Sequence, residues 1–395
     1  MKKLDKKIFG TLFFSIFVAV TGIGIVVPLL PLYASSLGAS GLYIGLLFGA
    51  FSLSRTFFLP YFGRMSDIRG RKPYILAGLF TYTLVSFAFI MSNDMVSLIS
   101  IRFVQGIASA MLMPVIQAYV GDISPGGSEG AVMGLFNMSI FMGLSIGPLL
   151  GGVISERFGL HLAFASMGFL SLTGFFLTLF RLPPVRFEHI SSRKNKPVTW
   201  KLGLSNKDIA GLFIYRFAYA ASIGIIWGFL PVFADSEFSL SGSSIGILVM
   251  LGVFISGLVQ PPMGLLADRF NKKLIIVVGG LIAAAGIYSF EWADGFWSLF
   301  ISNLLFGLGG GISTPALMAL AVLKGNQIMA MGSVMGLMVL AHSLGMLAGS
   351  LMGGLMMDIF QLSRAFSFGG FIMMLGVGFL SICLNGEEEP LPKQV

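Results

Sequence analysis

The sequence predicts an all-α, polytopic membrane protein whose twelve helices form two related bundles of six. Three observations predict this fold. The first is composition: of 395 residues, 56% are hydrophobic and only 11% are charged, which is too little polar surface to coat a water-facing globule. The second is a series of apolar segments long enough to cross a bilayer, and the third is a repeat that relates the two halves.

Twelve apolar segments follow one another along the chain. A helix needs about 20 apolar residues to cross a hydrocarbon core of about 30 Å. Because the connections are mostly short, sequential helices are expected to be antiparallel neighbours. The predicted spans are residues 8–32, 43–62, 73–92, 95–121, 131–155, 161–180, 209–232, 244–262, 273–290, 296–323, 328–356 and 365–384.

The first span follows a cluster of lysines, as the apolar core of a signal peptide does. Its apolar run extends over about 25 residues, whereas a signal peptide carries only about 7–15. We therefore expect this segment to stay in the protein as a membrane-spanning helix.

Positive charge alternates between the two sides of the predicted membrane. Twenty of the 25 Lys and Arg residues fall at the termini or in the connections after even-numbered spans, whereas only Arg157 and Arg364 fall in the opposite connections. Loops rich in Lys and Arg stay in the cytoplasm, so both termini are expected to be cytoplasmic, in the plasma (inner) membrane. The net charge of +8 needs no nucleic-acid partner to explain it.

Residue types that carry enzyme or metal chemistry are scarce. The single cysteine, Cys383, excludes a disulfide framework and a Cys-based zinc site, and the three histidines lie in separate segments. No metal or other cofactor is expected. Since no nucleophile–base pair and no G-x-x-x-x-G-K-[ST] phosphate loop occurs, the sequence favours neither an enzyme nor a nucleotide-driven pump.

The two halves of the chain repeat one another. The predicted organisation is an N-terminal bundle at 1–180, a cytoplasmic linker at 181–208 and a C-terminal bundle at 209–395. Glycine and proline serve particular backbone geometries, so their agreement across halves is specific. With an even number of spans per half, the repeats are parallel, and a substrate is expected between them near mid-membrane. At an offset of 201 or 202 residues the matches include Pro60 with Pro261, Asp67 with Asp268, Gly106 with Gly307, Pro114 with Pro315, and Gly151-Gly152 with Gly353-Gly354.

The connection between spans 2 and 3 carries a motif that begins at Gly63 and continues through Asp67, Gly70, Arg71 and Lys72. It resembles the G-x-x-x-D-x-x-G-R-[KR] signature of the major facilitator superfamily. Gly63 is expected to allow another helix to approach closely, and Gly70 is expected to permit a tight turn.

A weaker copy of this motif lies between spans 8 and 9. It runs from Gly264 through Asp268 to Lys272 and Lys273, with Asn271 in place of the second glycine. Asparagine is the next-best residue for a positive φ. The resemblance covers essentially the whole chain and implies the twelve-helix fold of that superfamily.

The resemblance also implies a conformational latch. Asp67 and Arg71 can form a charge-assisted pair at the membrane surface, and Asp122 resembles the acidic partner of this cluster in the family. Such a pair would hold the halves together in the outward-facing state and break in the inward-facing one. A static topology anchor is the alternative interpretation.

Two further motifs resemble those of drug:proton antiporters. Arg102, Gln105 and Gly106 in span 4 resemble a signature implicated in proton transfer. Glycines at four-residue spacing line one helix face and let another backbone approach closely, here expected to be span 8. The antiporter-like set in span 5 comprises Gly143, Gly147, Pro148, Gly151 and Gly152, and the second half lacks the proline.

Ionisable residues inside the spans are candidates for the transport pathway. The resemblance implies that spans 1, 4, 7 and 10 line the cavity, so Arg102 is the foremost candidate. Arg55 and Arg216 have either a functional role or a structural one, in which the side chain extends to the membrane–water interface. His342 either titrates near neutral pH or forms a hydrogen bond to a neighbouring helix. No carboxylate falls within a span, so protons would pass through Asp67, Asp122 or His342, or through a polar network around Arg102 and Asn137. The excess of arginine favours a neutral or anionic substrate.

Aromatic and methionine side chains could form an adaptable apolar cavity, with ordinary helix packing as the alternative for each. They are Met113, Phe141, Tyr215, Tyr219 and Trp227. The leading hypothesis is a monomeric secondary transporter that exports small amphipathic molecules in exchange for protons by alternating access. An importer or facilitator of a sugar, organic anion or other metabolite is the second hypothesis, and a membrane protein that does not transport is the third.

Overall fold

The computed structural model describes residues 4–125, 129–183, 206–328 and 331–384. Over these ranges the chain forms twelve helices that are long and apolar enough to cross a membrane, which confirms the predicted fold class. Most of the predicted linker, 181–208, lies outside the described residues. The helices are α1 (Lys6–Ser36), α2 (Gly41–Arg69), α3 (Arg71–Met91), α4 (Met95–Ile123), α5 (Glu129–Phe158), α6 (Leu160–Arg181), α7 (Lys207–Phe238), α8 (Gly242–Arg269), α9 (Lys272–Tyr288), α10 (Phe296–Gln327), α11 (Met331–Ile359) and α12 (Leu362–Cys383), with a 3₁₀ turn at Ser289–Trp292 between α9 and α10.

Local capping explains several helix ends. Asp5 Oδ1 accepts hydrogen bonds from the backbone N–H groups of Lys7 and Ile8 at the start of α1. Asp94 accepts from the Ser97 hydroxyl and backbone N–H at the start of α4, and these bonds lower the pKa of the Asp94 carboxyl from its ordinary value. Gly70 separates α2 from α3 with φ of 90°, a left-handed conformation that favours glycine.

Asn271 does not repeat the conformation of Gly70. Its φ is −61°, and its side chain accepts a hydrogen bond from Leu274 N at 3.1 Å. The expectation of a positive φ at Asn271 was therefore wrong, because an asparagine at this position caps the following helix in extended backbone instead.

Most sequential helices are not the main packing partners of one another. In the first half, α1 packs chiefly on α5 and α6, α2 on α4, and α3 on α4 and α6. In the second half the same order recurs, since α7 packs on α11 and α12, α8 on α10, and α9 on α10 and α12. The prediction of sequential neighbours was wrong for α1–α2 and α2–α3, because each bundle interleaves its helices around a central one. Helices α1 and α7 are the most enclosed: 78% and 83% of the residues in the apolar stretch of each helix are buried.

The repeat is visible in equivalent hydrogen bonds. Arg102 Nε donates to the carbonyl oxygen of Leu47 at 3.1 Å, joining α4 to α2. Asn303 Nδ2 donates to the carbonyl oxygen of Leu248, joining α10 to α8. Both donors and both acceptors are related by the 201-residue offset found in the sequence. A side chain in each half thus performs the same structural task although its chemistry differs.

The two bundles meet chiefly through α2 with α11 and α5 with α8, and more lightly through α1 with α7. We call the end that carries Lys6, Arg71, Lys207, Lys272 and Lys324 the basic end, and the other the opposite end. Hydrogen bonds between bundles in the described part of the chain lie at the opposite end. Toward the basic end, a Cβ added at Gly63, Gly134 or Gly336 would meet no atom within 4 Å. Close backbone contacts and hydrogen bonds between the described parts of the bundles are thus found at the opposite end and not at these three positions.

Candidate functional site

A cavity of about 340 Å³ lies between the two bundles. Both bundles contribute side chains to its wall, from helices α1, α2, α4 and α5 on one side and α7, α8, α10 and α11 on the other. Helices α3, α6, α9 and α12 contribute no lining residue among those described. Its volume is in the range of about 300–1,000 Å³ typical of small-molecule pockets.

Aromatic and aliphatic side chains form most of the cavity wall. Met113, Phe141, Tyr219 and Trp227, four of the predicted cavity residues, lie on it. Tyr215 does not: it is buried within the C-terminal bundle and donates its hydroxyl to the carbonyl oxygen of Ile276 at 3.3 Å. Tyr215 lies only one helical turn before Tyr219. It still faces a different neighbour, because α7 is the central helix of its bundle and is surrounded by other helices. The cavity can therefore hold an apolar body.

Polar groups on the wall are few and include no carboxylate among the described residues. Arg216 and His342, predicted for the pathway, are both present. The sequence predicts either a structural or a functional role for Arg55 and no pathway role for Asn303. Arg55 lies one helical turn after the cavity residue Phe51, and Asn303 is the repeat partner of Arg102, so both had a signal in the sequence. The polar lining residues are Arg55, Ser109, Arg216, Tyr219, Ser256, Gln260, Asn303, Thr314 and His342.

Arg102 lies outside the cavity wall. It is 3% exposed, and its guanidinium donates to Leu47 O and, at 2.6 Å, to Gln105 Oε1. The guanidinium carbon also lies 5.1 Å and 4.7 Å from the ring centroids of Phe48 and Phe51. A buried charge with hydrogen bonds and two aromatic faces is well satisfied by the protein itself. This geometry gives Arg102 a structural position between α2 and α4.

Two other predicted pathway residues also lie away from the cavity wall. Gln105 is buried beside Arg102, and its Nε2 has no hydrogen-bond partner among the described residues. Asn137 is exposed on α5. Their proposed share in proton movement stays a prediction.

The connection between α2 and α3 forms a charged cluster within the N-terminal bundle. Arg71 Nη1 lies 2.7 Å from Asp67 Oδ1, and Arg71 Nε lies 2.8 Å from Asp122 Oδ2. The same guanidinium donates to the Ser66 hydroxyl at 3.1 Å. Since Asp122 ends α4, this cluster ties the ends of α2, α3 and α4 together.

The described members of the Arg71 cluster all belong to the N-terminal bundle. In the second copy Lys272 is buried, Asp268 is exposed, and no ion pair of the described residues joins them. The latch role of both copies stays a prediction.

The family model of the major facilitator superfamily matches residues 12–211 and 212–395. The chain belongs to this superfamily. Multidrug resistance protein 2 of Bacillus subtilis is 27% identical to this superfamily member, over 96% of the chain and 95% of that protein. Quinolone resistance protein NorA of Staphylococcus aureus is 24% identical, over 90% of this chain and 91% of that protein. An uncharacterised transporter of the superfamily from Methanocaldococcus jannaschii is 29% identical, over 96% of this chain and 98% of that protein.

Solved structures share the fold of this superfamily member. The nucleoside transporter NupG matches with a TM-score of 0.81 at 15% identity, over 96% of this chain and all of that one. The human organic anion transporter MFSD10 matches with a TM-score of 0.66 at 17% identity, over 95% and 99%. A bacterial homologue of the lysosomal transporter Spinster, in an inward-facing and unoccupied conformation, matches with a TM-score of 0.76 at 14% identity, over 96% of each chain.

The glycines of α5 in this superfamily member face two different neighbours. A Cβ at Gly147 would lie 2.5 Å from Thr21 O and 2.7 Å from Gly24 Cα, and those at Gly143 and Gly151 would also meet the backbone of α1. The prediction that this glycine stripe packs against span 8 was wrong for these three residues, because α1 is the central helix of their bundle.

Contact with α8 is made one residue further along α5. A Cβ at Gly152 would meet the carbonyl oxygen of Gly242, and one at Gly246 would lie 2.6 Å from Pro148 O. The repeat places Gly354 against the carbonyl oxygen of Gly41 in the same way. Glycine pairs therefore bring the two bundles into backbone contact at the opposite end.

Two carboxylates hold helix starts across the bundle interface at this end. Asp358 of α11 accepts hydrogen bonds from the backbone N–H groups of Gly41 and Leu42, at 2.5 Å and 2.8 Å. Glu156 of α5 accepts from Ser243 N at 2.8 Å, at the start of α8. We call these two contacts the carboxylate clasps. Each places a negative charge at a helix N-terminus, where the helix dipole and unpaired N–H groups stabilise it.

Replacing Asp358 with alanine is expected to increase the population that is open at the opposite end. A carboxylate at a helix N-terminus contributes about 0.5–2 kcal/mol, so the closed-to-open ratio is expected to fall by roughly 2- to 30-fold. Electron-electron distance measurements between spin labels at Asn93 and Asp294, in a Cys383→Ser background, would report the opening. Glu237→Ala removes an exposed carboxylate at the same end and is the control. Identical distance distributions for the two variants would contradict the clasp.

Proposed function

We propose that this protein is a secondary active transporter that exports small amphipathic compounds in exchange for protons by alternating access. The observation that carries the proposal is the cavity lined by both bundles, whose described hydrogen bonds to one another lie at the opposite end. Relatives that cover nearly the whole chain are named for multidrug and quinolone resistance, which supports export of such compounds. An ion gradient supplies the energy, since the sequence holds no phosphate-binding loop.

The basic end is proposed to face the cytoplasm, with both termini there and the protein acting as a monomer in the plasma (inner) membrane. The surplus of Lys and Arg at this end supports the orientation. In this orientation we propose that the carrier receives its substrate from the cytoplasm. Thiol labels placed at residues 36 and 190 are expected to react from opposite sides of the membrane.

Import or facilitated passage of a sugar, organic anion or other metabolite is the second candidate. One observation favours it: no described residue of the cavity wall is a carboxylate. His342 is then the group on the wall with an ordinary pKa closest to neutral.

Proteoliposomes separate the two candidates. We expect uptake of an amphipathic fluorescent dye to rise several-fold when the lumen is acidic relative to the medium, because outward proton flow then drives inward dye movement through inside-out molecules. The rise should disappear when nigericin collapses the gradient, and protein-free liposomes are the control. Dye flux that is unaffected by the gradient would overturn proton antiport and leave facilitated passage.

A further inference from the structure

Two arginines and one histidine on the cavity wall each have a side-chain nitrogen without a hydrogen-bond partner in the described part of the chain. Arg55 belongs to α2 of the N-terminal bundle, whereas Arg216 of α7 and His342 of α11 belong to the C-terminal bundle. Both arginine Nε atoms and His342 Nδ1 are buried and have no hydrogen-bond partner among the described residues. Neither arginine takes part in an ion pair of the described chain.

Arg102 shows how the same fold satisfies a buried arginine with groups of the protein itself. Its guanidinium binds a backbone carbonyl and an amide oxygen and lies over two phenylalanine rings. Arg55 and Arg216 have no comparable arrangement. Their unmatched donors point to a partner that is not part of the protein.

An anion is the partner that these donors require. Each guanidinium is partly buried and has no ion-pair partner among the described residues, so the protein does not compensate its desolvation. A carboxylate offsets that cost through paired, charge-assisted hydrogen bonds. No carboxylate of the described cavity wall can fill this role. An ammonium ligand would add to the positive charge and be repelled.

The rest of the wall sets the body of the ligand. Phe51, Phe141, Trp227 and Phe306 line the same space, which has a volume of about 340 Å³. Aromatic walls bury flat apolar rings well. A small molecule with a ring system at one side and a negative group at the other matches both parts of the cavity.

We propose that the cavity binds an aromatic organic carboxylate whose anionic group is held between Arg55 of the N-terminal bundle and Arg216 of the C-terminal bundle, with His342 as a further donor. This inference rests on the proposed transport function and specifies its substrate class. Because the two arginines belong to different bundles, the bound anion joins the bundles. It thereby supplies a counter-charge to an arginine of each bundle.

The test compares three ligands of similar shape: 2-naphthoate, neutral 2-naphthamide and cationic 2-naphthylmethylammonium. Binding is measured at equilibrium with the full chain in lipid nanodiscs, so no transport is needed. We expect naphthoate to bind ~10-fold or more tightly than naphthamide, the size of effect that a buried charged hydrogen bond gives, and the ammonium to bind most weakly.

Variants locate the effect. Arg55→Met and Arg216→Met are each expected to weaken naphthoate binding ~10-fold while changing naphthamide binding little, which also shows that the variants are folded. Arg55→Lys and Arg216→Lys should keep part of the preference, since they keep the charge but lose the bidentate geometry. Arg181→Met, the same kind of substitution at an exposed arginine of α6 that lies outside the cavity wall, is the control.

Equal binding of naphthoate and naphthamide by the unaltered protein, or tighter binding of the ammonium, would overturn the proposal. So would Met variants that lose all three ligands equally, because the arginines would then be acting through structure. Selective naphthoate binding with no transport in proteoliposomes would contradict only the proposed function. Proton-driven transport without any preference for the carboxylate would contradict only this inference.

Discussion

Replacing Gly354 with alanine is expected to shift the protein toward a state that is open at the opposite end. The added Cβ would meet the carbonyl oxygen of Gly41 across the bundle interface, and backbone has little freedom to move away. Overpacking of this kind costs about 1–3 kcal/mol, which lowers the ratio of closed to open molecules by roughly 5- to 150-fold. Gly152→Ala should act in the same direction through Gly242, and the double variant should exceed either change alone.

Spin labels at Asn93 and Asp294 in the Cys383→Ser background measure this shift. Longer distances should dominate in Gly354→Ala. Gly336→Ala is the matched control, since it adds the same methyl group to the same helix where no atom lies within 4 Å. If Gly354→Ala and Gly336→Ala gave the same distances, the glycine contact would not set the closed state.

Replacing Gly147 with valine is expected to prevent stable folding of the N-terminal bundle. Its Cβ would lie 2.5 Å from Thr21 O and 2.7 Å from Gly24 Cα, both within the backbone of α1. Helices α1 and α5 belong to the same bundle and pack closely, so the clash is present in every conformational state. We expect a loss of about 3 kcal/mol or more, since a branched side chain displaces two helix backbones.

Thermal unfolding in detergent, with the yield of monodisperse protein as a second readout, measures the effect of Gly147→Val. Gly134→Val is the control, because Gly134 lies on the same helix and a Cβ there would meet nothing within 4 Å. A Gly147→Val protein as stable as Gly134→Val would show that the close approach of α1 and α5 is unnecessary. The contrast with Gly354→Ala separates glycines needed for folding from those that set the conformational balance.

Much of the fold could be predicted from the sequence because the bilayer imposes it. Span number follows from apolar length, and the repeat follows from glycine and proline positions that each serve one backbone geometry. Some helices are longer than the spans predicted from the sequence: α2 continues to Arg69, whereas the predicted span ends at residue 62. Helices extend past the hydrocarbon core into the polar interface, where hydropathy no longer marks them.

The assignment of roles to the arginines could not be made from the sequence. Depth along a span does not distinguish Arg102, which binds Leu47 and Gln105, from Arg55, which faces the cavity. Both are single cations in apolar helices. Which one is satisfied depends on the carbonyl, amide and aromatic groups that other helices bring to it.

The sequence by itself determined the number of helices, the internal repeat, the surplus of positive charge at one end and the scarcity of carboxylates within the spans. These properties follow from composition and spacing along one dimension. Only the tertiary structure decided that α1 rather than α8 receives Gly143, Gly147 and Gly151, and that Arg55 and Arg216 face one cavity from different bundles. The reason is that helix periodicity fixes which residues share a face, whereas the neighbour of that face is chosen by the packing of all twelve helices.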